Sequence, residues 1–307
     1  MHCPWMVERV PSTSYSTAST ENGAMTFPNT LRLASNDGAS ADISLFGGQV
    51  LSWQTSDGRA GLFLSKLASH GTGAPIRGGI PIVFPQFSDF GPLQKHGFAR
   101  VQQWTLMDRS RAVEGETARL RMTHTAATTP AWSHDCTLEV AVTVGGCALA
   151  VALCVQNTGN SAFQFTSALH TYLAIDDIDA ITIEGLGGQP YADTTAAGAL
   201  GVEQAFNMKV RGEIDRIYRG VAEPVIIREQ DRETVVAATG FPEVVIWNPG
   251  AIRGAALVDL EPDGYRRMLC VEAAAIQIPI ALEPTQVWQG CQTIRTYPSV
   301  DKRGDGQ

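Results

Sequence analysis

Two alternating apolar segments joined by a pair of glycines constrain the fold of this chain more than any other feature. An apolar residue recurs at every second position of Thr137–Val144, and Cys147–Val155 repeats the pattern after Gly145-Gly146. A spacing of two places the recurring side chains on one face of a β-strand, and a glycine pair between two such strands favours a tight antiparallel turn. The sequence therefore predicts a hairpin with one buried face.

Similar alternation occurs in shorter segments along much of the chain. Ala41–Phe46 and Gln49–Gln54 flank Gly47-Gly48 and predict a second hairpin. Further strands are predicted at Phe163–Ile175, Val225–Arg228, Thr234–Ala238, Glu243–Trp247, Met268–Ile278 and Gln286–Thr293. No segment has helical apolar spacing over about ten residues, and Ala196–Phe206 is the best candidate for a short helix. This pattern favours an all-β fold, a large antiparallel β-sandwich, over a parallel α/β sheet.

The two ends of the chain differ from this pattern. Residues 1–24 are rich in Ser, Thr and Pro and predict a flexible leader, residues 301–307 form a tail, and residues 25–300 are expected to form a single domain. The leader lacks the apolar segment of a secretory signal. No apolar run in the chain reaches the length of about 18 residues that a membrane helix requires.

Net charge and cysteine spacing indicate which classes of partner the protein binds and in which cellular compartment it lies. A net charge of −8 argues against a nucleic-acid surface, which needs a basic face. The six cysteines show no Cys-x-x-Cys spacing, and most fall inside apolar strand patterns. Core thiols in a reducing cytoplasm are therefore favoured over a zinc or disulfide framework. We expect a monomer in the cytoplasm, without a metal, that binds neither nucleic acid nor a membrane.

A segment bounded by two arginines, Arg77 and Arg100, combines an apolar strand with glycine-rich loops. Gly78 and Gly79 follow the first arginine and would let the backbone approach a ligand closely. Arginine suits bidentate contacts with oxyanions or sugar hydroxyls. The alternative is that both arginines are ordinary surface residues beside tight turns.

Two ionisable residues lie in strongly apolar strands. His170 shares one face of its predicted strand with Thr166 and Tyr172, which indicates either a wet cleft or a surface-facing side. Glu272 is the sole charge between Met268 and Ala281. A buried carboxylate needs a purpose or a partner, and burial would make it a better base. The alternative is a structural ion pair with Arg266 or Arg267, which lie nearby in sequence.

Three further positions are candidate sugar contacts. Asp215 could accept hydrogen bonds from hydroxyls, although a cap or loop-stabilising role is also open. Trp247 and Asn248 end a predicted strand with an apolar ring and an amide, an arrangement that suits either a sugar ring or a packed turn. The remaining histidines are assigned to the surface: His2, His70, His124 and His134.

Taken in order, these motifs resemble the aldose 1-epimerase superfamily and are most similar to its hexose-6-phosphate mutarotase branch. The resemblance covers about residues 30 to 295. The matching pieces are Arg77-Gly-Gly-Ile-Pro-Ile-Val-Phe-Pro, His96-Gly-Phe-Ala-Arg100, Leu169-His-Thr-Tyr, Asp215-Arg-Ile-Tyr, Val245-Ile-Trp-Asn-Pro and Cys270-Val-Glu272. Each piece alone is a weak signal, and the ordered series is specific.

The resemblance implies a β-sandwich of the galactose mutarotase type, with His170 as the general acid and Glu272 as the general base. It implies substrate contacts at Arg77, His96, Arg100 and Asp215. Lys95 stands where this branch often has glutamine, although a lysine also suits a phosphate. Gly250 stands where relatives often have a bulkier residue, which would leave the rim of the site more open.

The implied reaction interconverts the anomers of a small-molecule sugar phosphate by opening and reclosing the sugar ring. One carboxylate and one imidazole suffice for the two proton transfers, so neither a metal nor another cofactor is expected. Two alternatives stay open at this point. One is an aldose 1-epimerase that acts on unphosphorylated sugars, and the other is a non-catalytic carbohydrate-binding β-sandwich.

Overall fold

The computed structural model describes residues 29–69, 73–113 and 115–299. Its strands are β1 (Thr30–Ala34), β2 (Ser40–Ser44), β3 (Gln49–Gln54), β4 (Ile82–Val83), β5 (Thr105–Ala112), β6 (Gly115–His124), β7 (Cys136–Gly145), β8 (Ala148–Asn157), β9 (Phe163–Leu169), β10 (Tyr172–Ala174), β11 (Thr182–Glu184), β12 (Pro190–Asp193), β13 (Ala199–Val202), β14 (Ile214–Arg219), β15 (Val225–Arg228), β16 (Arg232–Thr239), β17 (Glu243–Asn248), β18 (Met268–Leu282) and β19 (Val287–Pro298). The predicted leader and tail, His2 and His70 lie outside the described residues.

Helical structure is sparse in the described residues. One α-helix, α1, spans Gly250–Ala256, and three short 3-10 turns span Ala99–Val101, Thr194–Ala196 and Gly264–Arg267. No helix in the described part of the chain is both long and apolar enough to cross a bilayer.

The strands form two large sheets and one small sheet, and the paired strands are antiparallel. Sheet A has the order β13-β12-β14-β17-β18-β9-β4, with β10 also paired to β18. Sheet B has the order β11-β15-β16-β19-β8-β7-β6-β5, and β1, β2 and β3 form the small sheet. The all-β prediction is confirmed.

The predicted central hairpin is present, with its turn displaced by one residue. Strands β7 and β8 pair from Cys136 opposite Asn157 to Gly145 opposite Ala148, so Gly146 and Cys147 form the turn. The alternating apolar residues of both arms are buried as predicted: Leu138, Val140, Val142, Val144, Leu149, Val151, Leu153 and Val155. The spacing of two therefore identified the face that packs into the core.

The centre of sheet A is buried on both faces, and this determines where the site lies. One face packs against sheet B through residues such as Phe165, Ile246 and Val271. The other face carries a second apolar cluster that includes Cys270 and Trp247. All six residues of β17 are consequently buried. A polar side chain on this second face is surrounded by protein although it points away from the main core.

Two local predictions were wrong. The expected helix at Ala196–Phe206 is a 3-10 turn followed by β13, which pairs with β12. Gly198, with a φ of 79°, reverses the chain so that it returns as a strand. His124, assigned to the surface, is buried, and its ring stacks on Phe98 at a centroid distance of 4.3 Å.

Candidate active site

His170 occupies a break between two strands of sheet A. The predicted strand Phe163–Ile175 divides into β9 and β10, with His170 and Thr171 between them. The His170 backbone N–H donates to the Pro81 carbonyl at 3.0 Å instead of continuing the ladder. The imidazole is buried, and it lies on the same side of sheet A as the second apolar cluster. The break therefore fixes the ring at the surface of the sheet.

Glu272 lies in the neighbouring strand, β18, and is almost fully buried. Its Oε1 is 3.3 Å from Nδ1 of His170. The contact is close but is not a hydrogen bond, because Nδ1 of His170 and Oε2 of Glu272 have no hydrogen-bond partner among the described residues. The alternative ion pair is not formed: Glu272 makes no ion pair with Arg266 or Arg267, and Arg266 contacts Asp177 at 2.9 Å instead.

Burial disfavours the charged form of both members of this pair. It lowers the pKa of His170 well below the ordinary value, and the positive charges of Arg100 and Arg77 act in the same direction. It raises the pKa of Glu272 well above the ordinary value, with Asp215 adding to the effect and Arg100 opposing it. A buried carboxylate with a raised pKa is a stronger base than an exposed one.

Arg77 is held beside this pair by two neighbours. Its Nη1 donates to the Tyr172 hydroxyl at 3.0 Å, and its Nε donates to Asp259 Oδ1 at 3.1 Å. The glycines after it serve chain packing rather than a close approach to a ligand. A Cβ on Gly78 would lie 2.5 Å from the Phe63 carbonyl oxygen, and one on Gly79 would lie 2.0 Å from that of Val50.

His96 lies at a second tight turn and faces the imidazole of His170. Its backbone is left-handed, with a φ of 64°, and its Nδ1 accepts a hydrogen bond from the Ser88 N–H at 3.3 Å. The rings of His96 and His170 meet edge to face at 5.5 Å. Burial lowers the pKa of His96 far below its ordinary value, and the charges of His170 and Arg100 act in the same direction. His96 is therefore a neutral imidazole near neutral pH.

Arg100 and Lys95 differ in burial and in the contacts that their side chains make with the rest of the protein. Arg100 donates from Nη2 to the Lys95 carbonyl at 2.6 Å, while its buried Nε has no partner among the described residues. Burial lowers the pKa of Arg100 to about 10, so the guanidinium remains charged near neutrality. The Lys95 ammonium is half exposed and lies 3.6 Å from Asp89.

Trp247 forms a wall of the site. Its ring meets that of His170 at 5.9 Å and that of Tyr172 at 6.0 Å, in both cases close to perpendicular. Asp215 pairs with Trp247 across β14 and β17, and burial raises the pKa of its carboxyl. Both residues thus border the His170–Glu272 pair.

Asn248 is fully committed to the backbone around it. Its amide donates to the carbonyls of Tyr265 and Met268, each at 2.8 Å, and its oxygen accepts from the Gly250 N–H at 2.8 Å. The structure therefore places Asn248 next to the site as a link between β17, α1 and the turn before β18. A substrate contact from this side chain remains a prediction.

Three residues join the site without having been assigned a role from the sequence. Tyr172 and Asp259 bind Arg77, and Cys270 lies two positions before Glu272 on the same face of β18. The strand pattern had already placed Tyr172 on the His170 face, whereas Asp259 lies 182 residues from Arg77 and carries no sequence signal. One potential ligand atom from each of His170, Cys270 and Glu272 lies within 4.8 Å of the other two.

Comparisons with known proteins identify the family to which the chain is similar. A sequence model described as aldose 1-epimerase matches residues 29–295. A protein of Cenchrus ciliaris named "putative glucose-6-phosphate 1-epimerase" is 33% identical over 269 residues, covering 84% of this chain and 82% of its own. A protein of the same name from Escherichia coli K12 is 30% identical over 239 residues, covering 76% and 79%.

Solved structures show the same fold. The crystal structure of a "putative mutarotase" from Salmonella typhimurium has a TM-score of 0.79 at 28% identity, covering 85% of this chain and 88% of its own. The galactose 1-epimerase of Lactobacillus acidophilus NCFM has a TM-score of 0.70 at 12% identity, covering 88% and 95%. The second likeness bears on the fold alone, and it supports the predicted β-sandwich of the galactose mutarotase type.

Proposed function

The chain belongs to the aldose 1-epimerase family, and from that premise we propose that it interconverts the α and β anomers of a hexose 6-phosphate, with glucose 6-phosphate as the preferred substrate. The observation that carries the proposal is the buried contact of His170 with Glu272 at 3.3 Å, beside two arginines. Ring opening requires a base that reaches the C1 hydroxyl and an acid that reaches the ring oxygen, and neighbouring guanidinium groups suit a phosphate.

In the proposed reaction, Glu272 is the base and His170 is the acid. The resting pair holds one proton, on Glu272, and its transfer to His170 across the 3.3 Å contact gives the reactive carboxylate and imidazolium. The carboxylate of Glu272 then takes the proton from the hydroxyl at C1 while the imidazolium of His170 gives a proton to the ring oxygen. The bond between C1 and the ring oxygen breaks, and an open-chain aldehyde forms. After rotation about C1–C2, closure on the other face of the carbonyl reverses both proton transfers and restores the two side chains.

Four other side chains would hold the sugar. His96 is neutral and lies at the edge of the His170 ring, where it suits hydrogen bonding to a sugar hydroxyl. Asp215 would accept a hydrogen bond from another hydroxyl, and the ring of Trp247 would pack against apolar C–H groups of the sugar. Asn248 would act mainly by fixing the end of β17.

Phosphate selection is assigned to Arg100, with help from Arg77 and Lys95. Arg100 has a buried Nε without a partner among the described residues, so it retains a donor for an incoming anion. Arg77 is already bound to Asp259 and contributes less free charge. Lys95 is half exposed and can swing toward a phosphate. These groups would have to make the site positive in a chain whose net charge is −8.

One observation favours a second candidate, an epimerase of unphosphorylated aldoses. The Arg77–Asp259 ion pair neutralises one of the two arginines that would otherwise define an anion site. A neutral sugar could bind while Arg77 keeps its ion pair with Asp259, whereas a phosphate would compete with Asp259 for Arg77.

We further propose that the enzyme acts as a monomer in the cytoplasm, without a bound cofactor. Four of the described cysteines, Cys136, Cys147, Cys154 and Cys270, are free thiols, which supports a reducing compartment.

The experiment that tests the function follows the optical rotation of freshly dissolved α-glucose 6-phosphate and of α-glucose. The proposal expects the protein to speed equilibration of both anomers, with the larger kcat/KM for the phosphorylated sugar. A larger kcat/KM for glucose would favour the second candidate. Sugar binding without any acceleration would identify a carbohydrate-binding protein instead.

A further inference from the structure

Cys270 is a buried thiol beside the acid–base pair, and the proposed reaction has no use for it. It lies on β18 two positions before Glu272, so the two side chains share the outer face of sheet A. Across the sheet, Cys270 pairs with Tyr172, two positions after His170. The strand register therefore brings a thiol, an imidazole and a carboxylate together at one point.

The atoms at this point resemble an incomplete coordination shell. One ligand atom each from His170, Cys270 and Glu272 lies within 4.8 Å of the other two, and all three residues are buried. Nδ1 of His170 and Oε2 of Glu272 have no hydrogen-bond partner in the described part of the chain. Buried polar atoms without partners are unfavourable. The site thus presents an unsatisfied nitrogen and an unsatisfied oxygen beside a thiol, and zinc accepts these three ligand types together.

We propose that His170, Cys270 and Glu272 form a zinc site at which the metal inhibits the enzyme. A tetrahedral zinc ion with ordinary bond lengths separates its ligand atoms by about 3.3–3.8 Å, so the cluster needs to contract by about 1 Å through side-chain rotation. The three side chains leave a fourth position for water. A thiolate and a carboxylate together balance the two positive charges of the ion.

Zinc binding would release the proton of the Cys270 thiol to solvent, because a thiolate is the ligand. The charges around the site act in both directions. Asp215 adds a negative charge that both Cys270 and Glu272 feel, whereas Arg77 and Arg100 oppose a cation. A softer metal that gains more from the thiolate, such as zinc, is therefore favoured over magnesium or calcium, which prefer oxygen ligands alone.

The consequence is mutual exclusion of zinc and sugar. A metal bound to Glu272 occupies the carboxylate that would take the substrate proton, and a metal bound to His170 removes the acid. This inhibitory half rests on the proposed function, whereas the binding half does not. The absence of Cys-x-x-Cys spacing is consistent with such a site, because Cys270 and Glu272 come from β18 and His170 comes from the break between β9 and β10, which only the fold brings together.

Binding is tested on the full chain, stripped with a chelator and titrated with Co²⁺ as a spectroscopic probe for zinc. The expected result is a thiolate-to-cobalt absorption band in the near ultraviolet at one equivalent, lost on adding Zn²⁺. Cys270→Ala should abolish the band, and Cys147→Ala, at the β7–β8 turn, should retain it. Glu272→Gln should weaken Co²⁺ binding by at least about tenfold, the lower range for loss of an outer-shell partner. If Cys270→Ala does not fold, Glu272→Gln tests the site in its place.

The absence of a band in the unmodified protein, or a band that persists in Cys270→Ala, would overturn the zinc site. Inhibition is then measured as the ratio of mutarotation rates with and without Zn²⁺. The ratio should fall for the unmodified protein and for Cys147→Ala, rise toward one for Cys270→Ala, and recover with a chelator. A protein that shows the band but never mutarotates sugars would refute the proposed function and leave the metal site standing.

Discussion

The ring of Tyr172 stacks on the imidazole of His170, with the centroids 4.8 Å apart and the planes within 9° of parallel. The Tyr172 hydroxyl, at the far end of the ring, accepts a hydrogen bond from Arg77 at 3.0 Å. A single buried side chain therefore contacts both the proposed acid and one of the proposed anion-binding residues. Asp259, on the other side of Arg77, completes this chain of contacts.

Tyr172→Phe is expected to change the position of Arg77 and to leave the proton transfers of His170 and Glu272 in place. The substituted ring still stacks on His170, but Arg77 loses one of its two anchors. Loss of a hydrogen bond to a charged group is worth about 1.5–3 kcal/mol, or roughly 10- to 100-fold. We expect the loss mainly in KM for glucose 6-phosphate, with a smaller change for glucose. Equal losses on both sugars, or a fall confined to kcat, would contradict this role.

Glu272→Gln and His170→Asn should each remove one proton transfer. Each is expected to slow mutarotation of glucose 6-phosphate by roughly 10²–10⁴-fold. The double variant should be little slower than the slower single variant, because an acid and a base that act together are not additive. Circular dichroism checks that each variant is folded. A single variant that equilibrates the anomers as fast as the unmodified protein would refute the catalytic assignment.

Arg100→Met removes a guanidinium while keeping much of the apolar stem. We expect kcat/KM for glucose 6-phosphate to fall by roughly 10- to 100-fold, because charge-assisted hydrogen bonds to the phosphate are lost. The value for glucose should change less. Arg111→Met is the matched control, since Arg111 is exposed at the end of β5. The phosphate assignment fails if both sugars lose the same factor.

The pH dependence of stability should report the buried His124. Burial lowers its pKa from the ordinary value of 6.5, so the folded protein binds a proton there less readily than the unfolded chain. Protonation of the unfolded chain then reduces the free energy of unfolding as the pH falls below 6.5, and above that value His124 has no effect. The buried His96 and His170 act in the same direction.

His124→Phe should flatten part of that decline, because phenylalanine preserves the stack on Phe98 and cannot bind a proton. Urea unfolding of both proteins at about pH 7.5 and about pH 5.5 measures the difference in slope. The variant should lose less stability between the two values than the unmodified protein. Identical losses would show that His124 does not contribute.

The sequence predicted the strands and their buried faces, which depend on local alternation. It missed the features that depend on contacts between segments distant in sequence. The spacing of two in β7 and β8 identified their buried faces, because strand side chains alternate regardless of the partner. The same rule predicted one continuous strand over Phe163–Ile175 and missed the break at His170. The break depends on a hydrogen bond from the His170 N–H to the carbonyl of Pro81, which lies in another loop. His170 and Glu272 themselves stood out because an ionisable residue in an apolar strand is unusual.

The neighbours of those residues had no comparable signal. Asp259 reaches Arg77 from a loop after α1, and no periodicity links the two positions. His124 looked like a surface histidine because its burial comes from Phe98 and from Trp132, whose ring lies 5.4 Å away. The sequence predicted that Gly78 and Gly79 let the backbone approach a ligand, and the structure shows a different reason for glycine at these positions. They meet neighbouring backbone, which the sequence alone cannot show.

Gly79→Ala tests that correction, because it alters the packing below Arg77 without touching the arginine. Gly79 has a φ of 63°, and a Cβ there would lie 2.0 Å from the Val50 carbonyl oxygen. Gly220→Ala is the matched control: its φ is 67°, but nothing lies within 4 Å of the added Cβ. The control should lose only the left-handed backbone term of about 1–2 kcal/mol. Gly79→Ala should lose clearly more, measured by urea unfolding, and should also raise KM for glucose 6-phosphate as the Arg77 loop shifts. If both variants lose equal stability, close backbone packing is not why glycine occupies position 79.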